Sequence, residues 1–190
     1  MSYRMFLALC VGVTACAISA GGVQAAVTVI GPGPATLCYD AADSGRTTQE
    51  GVMFCNEALA GFLSTADRAA TLINRGVLEL NVLKIKAAQD DFNAGIAIAP
   101  DLAEGYVDRG ATLIAQKRYA EAIKDINNGI ALGAKQLHIA YFDRAIADEG
   151  LGNLQAAYDD YRQALAIAPN FSLASDELKR FKVVEKPSGA

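Results

Sequence analysis

Few residues in this chain are able to do chemistry, and their spacing sorts them. The single histidine, His138, has no sequence neighbour to orient it as a base. Asp90-Asp91 and Asp159-Asp160 are adjacent pairs that read as charged helix faces rather than acid/base dyads. Cysteines stand at 10, 16, 38 and 55, with no CxxC spacing that would indicate a redox pair or a metal site. No glycine-rich phosphate loop and no metal-ligand spacing occur. The expectation is a protein that is not an enzyme and carries no metal and no cofactor. What recurs is a cation and an anion at fixed distance: Arg75 and Asp91, Arg109 and Asp125, Arg144 and Asp160 are each 16 apart. Such a spacing places the members of each pair on two successive helices. It predicts a ladder of Arg–carboxylate contacts, although solvated pairs of this kind are individually worth little.

The elements that position these residues repeat. Arg75-Gly76 returns as Arg109-Gly110, and Ala88, Asp91 and Gly95 return as Ala122, Asp125 and Gly129, at an offset of 34. A third copy follows at an offset of 35, with Arg144-Ala145, Ala157, Asp160, Ala164 and then Pro169 in the place of Pro100. A period near 34 with two helical segments per copy is the mark of a helix–turn–helix solenoid. Helical pairs are expected over about 64–81 and 84–99, 101–115 and 119–132, and 137–150 and 154–168. Ser64 is spaced as the cap of the first, with Asp67 in a capping-box role. The loop at Gly133-Ala134-Lys135 lacks the proline and carries the inserted residue. Shorter helical stretches over 37–42 and 48–62 precede the repeats, and a last one, 171–181, has a polar outer face suited to closing the array. Gly76, Gly110 and Ala145 on first helices, with Ala88, Ala122, Ala157, Gly95, Gly129 and Ala164 on second helices, let the axes approach. Leu72, Tyr106, Tyr141, Phe92, Ile126 and Tyr161 fill the wider gaps.

Ahead of the fold, Arg4 is the only charge before Asp40, and an apolar run from Met5 to Ala17 has the length of a secretory signal core. Cleavage is placed after Ala25, giving a leader over 1–25 and an extended lead-in over 26–34, where Gly31-Pro32-Gly33-Pro34 excludes helix. The alternative is a lipobox at Val13-Thr14-Ala15-Cys16, with Cys16 lipidated and the protein tethered to the outer membrane. Either route takes the chain out of the cytoplasm, with the periplasm as its expected place. There the remaining pair, Cys38 and Cys55, reads as a disulfide. The repeat register supports it, because Cys55 takes the position of Phe92 and Cys38 that of Arg75, on facing helices of a degenerate hairpin. The whole chain has a formal charge of −4, and loss of Arg4 with the leader makes it more acidic. With no basic stripe, no Trp and no second apolar span, neither nucleic acid as a partner nor a membrane span is expected.

At this point the chain resembles the tetratricopeptide repeat family. Repeat one matches its pattern as Leu72, Gly76, Ala88, Phe92, Gly95 and Pro100, and repeat three as Tyr141, Ala145, Ala157, Tyr161, Ala164 and Pro169. Repeat two matches as Tyr106, Gly110, Ala122, Ile126 and Gly129, with Ala134 where proline is usual. The likeness is to small exported members from Gram-negative bacteria. It implies an all-α fold, a right-handed α–α superhelix of three hairpins over 65–100, 101–134 and 135–169. A degenerate hairpin over 35–64 precedes them, and a capping helix over 170–183 and a tail over 184–190 follow. It also implies a concave groove lined by the first helices, here Ile73, Val77, Val107, Ala111, Ile114, Phe142 and Ile146, with Asn74, Asp108 and Asp143 along its margin. The family's carboxylate clamp needs cations where this chain has Ile73, Glu104 and Asp143, so recognition of a C-terminal carboxylate is not carried over. The expected partner is an unknown protein or peptide segment of apolar or amphipathic character, bound by a monomeric scaffold.

Overall fold

The computed structural model describes residues 33–44 and 49–181. The leader, the lipobox, the cleavage position and the tail lie outside these residues. Nine helices and no strand occur among them: α1 (Pro34–Asp43), α2 (Gln49–Ala60), α3 (Thr65–Asn81), α4 (Ile85–Ile98), α5 (Ala103–Ala115), α6 (Tyr119–Ala131), α7 (Leu137–Leu151), α8 (Leu154–Ile167) and α9 (Ser172–Leu178). Pro34, assigned above to the lead-in, instead opens α1, because a first-turn residue has no intrahelical N–H bond for proline to lose. Ser64 caps α3 by accepting from the Asp67 amide at 3.1 Å, while its hydroxyl donates to the Asp67 carboxylate at 2.6 Å.

The helices pair as α1/α2, α3/α4, α5/α6 and α7/α8, and each pair leans on the next through α2/α3, α4/α5 and α6/α7. First helices also touch one another, α1 with α3, α3 with α5 and α5 with α7, so they form the inner layer. The turn inside each repeat is the same device written three times. Leu83 and Lys117 adopt φ of 60° and Gly152 a φ of 80°, and the next amide bonds back to the carbonyl five residues earlier: Lys84 to Glu79, Arg118 to Leu113, Asn153 to Asp148. This Schellman closure satisfies carbonyls that the helix end would leave bare.

Four apolar clusters, centred on successive hairpins, make up the core of the described residues. The first holds Cys38, Cys55 and Leu78, the second Ile73, Ala88 and Phe92, the third Val107, Leu113, Ala122 and Ile126, and the fourth Ala145, Ala157, Tyr161 and Ala164. The glycines set the helix spacing. A Cβ on Gly76 would lie 2.6 Å from the Phe92 ring, one on Gly110 2.6 Å from Ile126 and one on Gly129 2.5 Å from Val107. The short α9 returns over α8, and Phe171 and Phe181 bring their rings to Phe142 and Tyr161 at 5.1 and 6.0 Å between centroids. Tyr161 donates to Glu149 at 2.7 Å, Arg180 reaches the other Glu149 oxygen at 2.8 Å, and Arg180 also pairs with Glu177. That network closes the last repeat.

Candidate functional site

Two arrangements of polar residues run along this scaffold, one on each side of the first helices. The first is built on the arginines. Arg75 places Nε and Nη2 on the two oxygens of Asp91 at 2.7 and 2.6 Å, Arg109 does the same to Asp125 at 2.7 and 2.8 Å, and Arg144 to Asp160 at 2.6 and 2.7 Å. These are fork-to-fork pairs with the carboxylates almost fully buried. The hydrogen bonds that each guanidinium donates to its aspartate raise its pKa above the ordinary value, with burial opposing.

Sequence reasoning missed the third member of each rung. Arg75 Nη1 also donates to Asn56 Oδ1 at 2.7 Å, Arg109 to Asn93 at 2.9 Å and Arg144 to Asn127 at 2.6 Å. Each asparagine belongs to the preceding hairpin, so one guanidinium joins two helices of its own repeat and one helix of its neighbour. The signal was present, because Asp91-Phe92-Asn93 and Asp125-Ile126-Asn127 share a D-x-N spacing. Arg109→Ala with Asp125→Ala should show a coupling of more than about 1 kcal/mol in a double-mutant cycle, because either single change strands a buried polar partner. Chemical denaturation of the four proteins reads it, and additive losses would leave the pair without structural weight.

At the other end, Cys38 and Cys55 are joined as a disulfide between α1 and α2, with a Cα–Cα distance of 4.8 Å. Both are fully buried beside Leu78 of α3. His138 stacks edge-on against Phe171 at 5.1 Å. Among the described residues no group of three or more His, Cys, Asp or Glu is placed to hold a metal ion, and no helix is long and apolar enough to cross a membrane.

The second arrangement is a cleft of about 320 Å³ on the inner layer. Four first helices contribute to it: Tyr39, Ala42 and Asp43 from α1, Ile73, Asn74 and Val77 from α3, Glu104, Val107 and Asp108 from α5, and Ile139 from α7. The α6–α7 loop supplies a wall through Ala134, Lys135 and Gln136. This loop is the one with the inserted residue, and Gly133 turns it at φ +83°, in the left-handed region that favours glycine.

Of the groove residues read from sequence, Ile73, Val77 and Val107 line this cleft. Ile73 and Val107 are at the same time core residues, 4% and 6% exposed, so they present little more than an edge to it. Ala111 is half-buried, and Ile114 packs on the cluster around Val107 and Ile126. Phe142 and Ile146 take a different place: both pack in the C-terminal cluster with Phe171, Leu178 and Phe181, because α9 folds back over that end. Their sequence spacing gave no sign of this, since the covering helix belongs to no repeat.

Electrostatics distinguishes the cleft from its apolar floor. Asn74, Asp108 and Asp143 hold equivalent positions on α3, α5 and α7, and Glu104 lies one turn before Asp108. Desolvation pushes the Asp108 carboxyl up to about 7, with repulsion from Asp143 and then Glu104 adding to it, and desolvation pushes Asp143 up to about 7 as well. Glu104 accepts from the Lys135 amide at 3.3 Å, which ties the loop wall to α5.

The sign of the stability effect follows from linkage. Between the ordinary carboxyl value of 3.8 and about 7, folded Asp108 holds a proton that the unfolded chain releases. Its contribution to stability is therefore present at low pH and lost as pH rises through about 7. Asp108→Asn should leave urea stability nearly unchanged near pH 4 and raise it by more than about 1 kcal/mol near pH 8, an effect that equal midpoints at both pH values would refute.

No protein-family model matches the chain, and no curated protein does. Solved structures do. The first tetratricopeptide-repeat domain of human RPAP3 is 27% identical, with 60% of this chain and 90% of that one covered at a TM-score of 0.57. The second such domain of human RPAP3, solved with the HSP70 peptide SGPTIEEVD, is 26% identical, covering 62% of this chain and 97% of that one at 0.56. MamA is similar at 20% identity, over 72% of this chain and 80% of its own, with a TM-score of 0.57. Helical pairs in register, glycines at the crossings and these likenesses lead to one statement: the chain folds as a tetratricopeptide-repeat solenoid.

Proposed function

We propose that this protein is a scaffold that holds a partner's peptide segment in the inner-layer cleft and works outside the cytoplasm. The observation that carries the reading is a cleft spanning four successive first helices, lined by Val77 and Ile139 together with polar groups such as Asn74, Glu104 and Gln136. Such a layout suits an extended or helical segment that lays an apolar side chain inward and keeps polar groups outward. The solved neighbours support peptide binding as the class of activity, since one is bound to the HSP90 peptide SRMEEVD and another to an HSP70 peptide. Those acidic peptides are not the ligands proposed here, because Glu104 and Asp108 on the cleft wall would repel them.

The Cys38–Cys55 bond supports export, because disulfides persist in oxidising compartments. The mass of the mature N-terminus separates periplasmic release after Ala25 from lipidation at Cys16. A photo-crosslinking residue at Gln136, on the cleft wall, should trap a partner that the same residue at exposed Gln163 on α8 does not. Asn74→Trp, which fills the cleft, should abolish that crosslink without altering helicity. Equal trapping at both positions would remove the cleft from consideration.

A further inference from the structure

We propose that the cleft selects a segment in which a lysine or arginine lies beside an aliphatic side chain, so that the partner is basic and amphipathic rather than merely apolar. The inference rests on the cleft being the docking surface. It is carried by charge complementarity. Asp43, Glu104 and Asp108 face the cleft against one ammonium, Lys135, and Asp143 adds to the field at Asp108. The charged and titratable groups around the Asp108–Asp143 pair are Tyr39 and Asp43 from α1, Glu104 from α5, Lys135 from the loop and Tyr161 from α8.

Neither Asp108 nor Asp143 is engaged by an arginine, although every repeat carries one. Arg75, Arg109 and Arg144 are committed to the other side, where they hold Asp91, Asp125 and Asp160. The fold thus commits its repeat arginines to one row of carboxylates and leaves Asp108 on the cleft without one. A metal ion does not fit as the neutralising charge, since no group of acidic residues among those described converges to hold one. An extended cation on a flexible stem does, because a lysine or arginine can lay its methylenes on Val77 and Ile139 while its head reaches Asp108. Their desolvated setting also means that a bound cation would draw protons off Asp108 and Asp143, so the preference should be strong above about pH 7 and fade below it.

The probes are a labelled peptide of alternating leucine and lysine and its twin with glutamate in place of lysine, followed by fluorescence anisotropy with the full chain. Near pH 8 the lysine peptide should bind at least about tenfold more tightly than its twin, and the ratio should shrink severalfold near pH 6. Asp108→Asn with Asp143→Asn, an isosteric pair of changes, should lower the ratio near pH 8 and flatten its pH dependence. A ratio of one, or one unchanged in the double variant, overturns the cation preference. If both peptides bind alike and Asn74→Trp abolishes binding, the preference alone fails. If neither binds, or Asn74→Trp has no effect, the cleft fails with it.

Discussion

Replacing Gly110 by leucine is expected to unfold the second repeat, with a loss of more than about 3 kcal/mol in urea denaturation. The magnitude comes from what surrounds the position. A bare Cβ there would already stand 2.6 Å from Ile126 Cγ1 and 3.4 Å from the Ala122 carbonyl, before any further carbon is added. Ile126 is fully buried in the central cluster and has nowhere to retreat. Gly110→Ala makes a sharper test. Alanine gains up to about 1 kcal/mol over glycine inside a helix, so a net loss must come from the crossing itself. Adding Ile126→Val to Gly110→Ala should return part of the loss. The same alanine at Gly133, where no atom lies within 4 Å, should suffer only from its positive φ.

Removing the disulfide should have the second large effect. Cys38→Ala with Cys55→Ala opens a 17-residue separation, for which chain entropy predicts about 3 kcal/mol. The loss should be local as well as large. Among the described residues α1/α2 packs on the rest of the array chiefly through α3, and Leu78 is buried against the bonded cysteines. Amide exchange should therefore quicken through α1, α2 and the Leu78 face of α3 while α7 and α8 keep their protection. Uniform acceleration along the chain would instead mean that the repeats unfold as one unit.

Much of this was legible in the sequence, for a physical reason: a repeat writes the same packing problem several times. A small residue at one helix crossing is weak evidence, but Gly76, Gly110 and Ala145 in register leave little else to conclude. Arg75 and Asp91 were visible for the same reason. The groove was read less well. Periodicity says which residues point inward, but not what another element lays on top of them. Phe142 and Ile146 point inward and are then packed by Phe171 and Phe181, which follow the last full repeat. Ile73 and Val107 share the family's groove positions yet are buried in the core, where they press against Gly95 and Gly129. The cleft wall at Ala134, Lys135 and Gln136 belongs to the one inter-repeat loop that lacks the proline and carries an extra residue, so the other loops give no guide to its path. Lifted carboxyl pKa values depend on how closely successive first helices approach, a three-dimensional quantity that no spacing encodes.

The arginine rungs also bear on what can stack against the last repeat. Each rung arginine reaches backward to an asparagine on the hairpin before it, at Asn56, Asn93 and Asn127. A further hairpin, or another molecule stacked on α8, would look for the next such acceptor two residues after Asp160. It would meet Arg162, a donor, lying 5.8 Å from the Tyr158 ring. Units that join head to tail polymerise without limit unless one face refuses the next. A hairpin stacked on α8 would here meet a donor where the earlier repeats offer an acceptor, so Arg162 disfavours continuation through a rung of this kind.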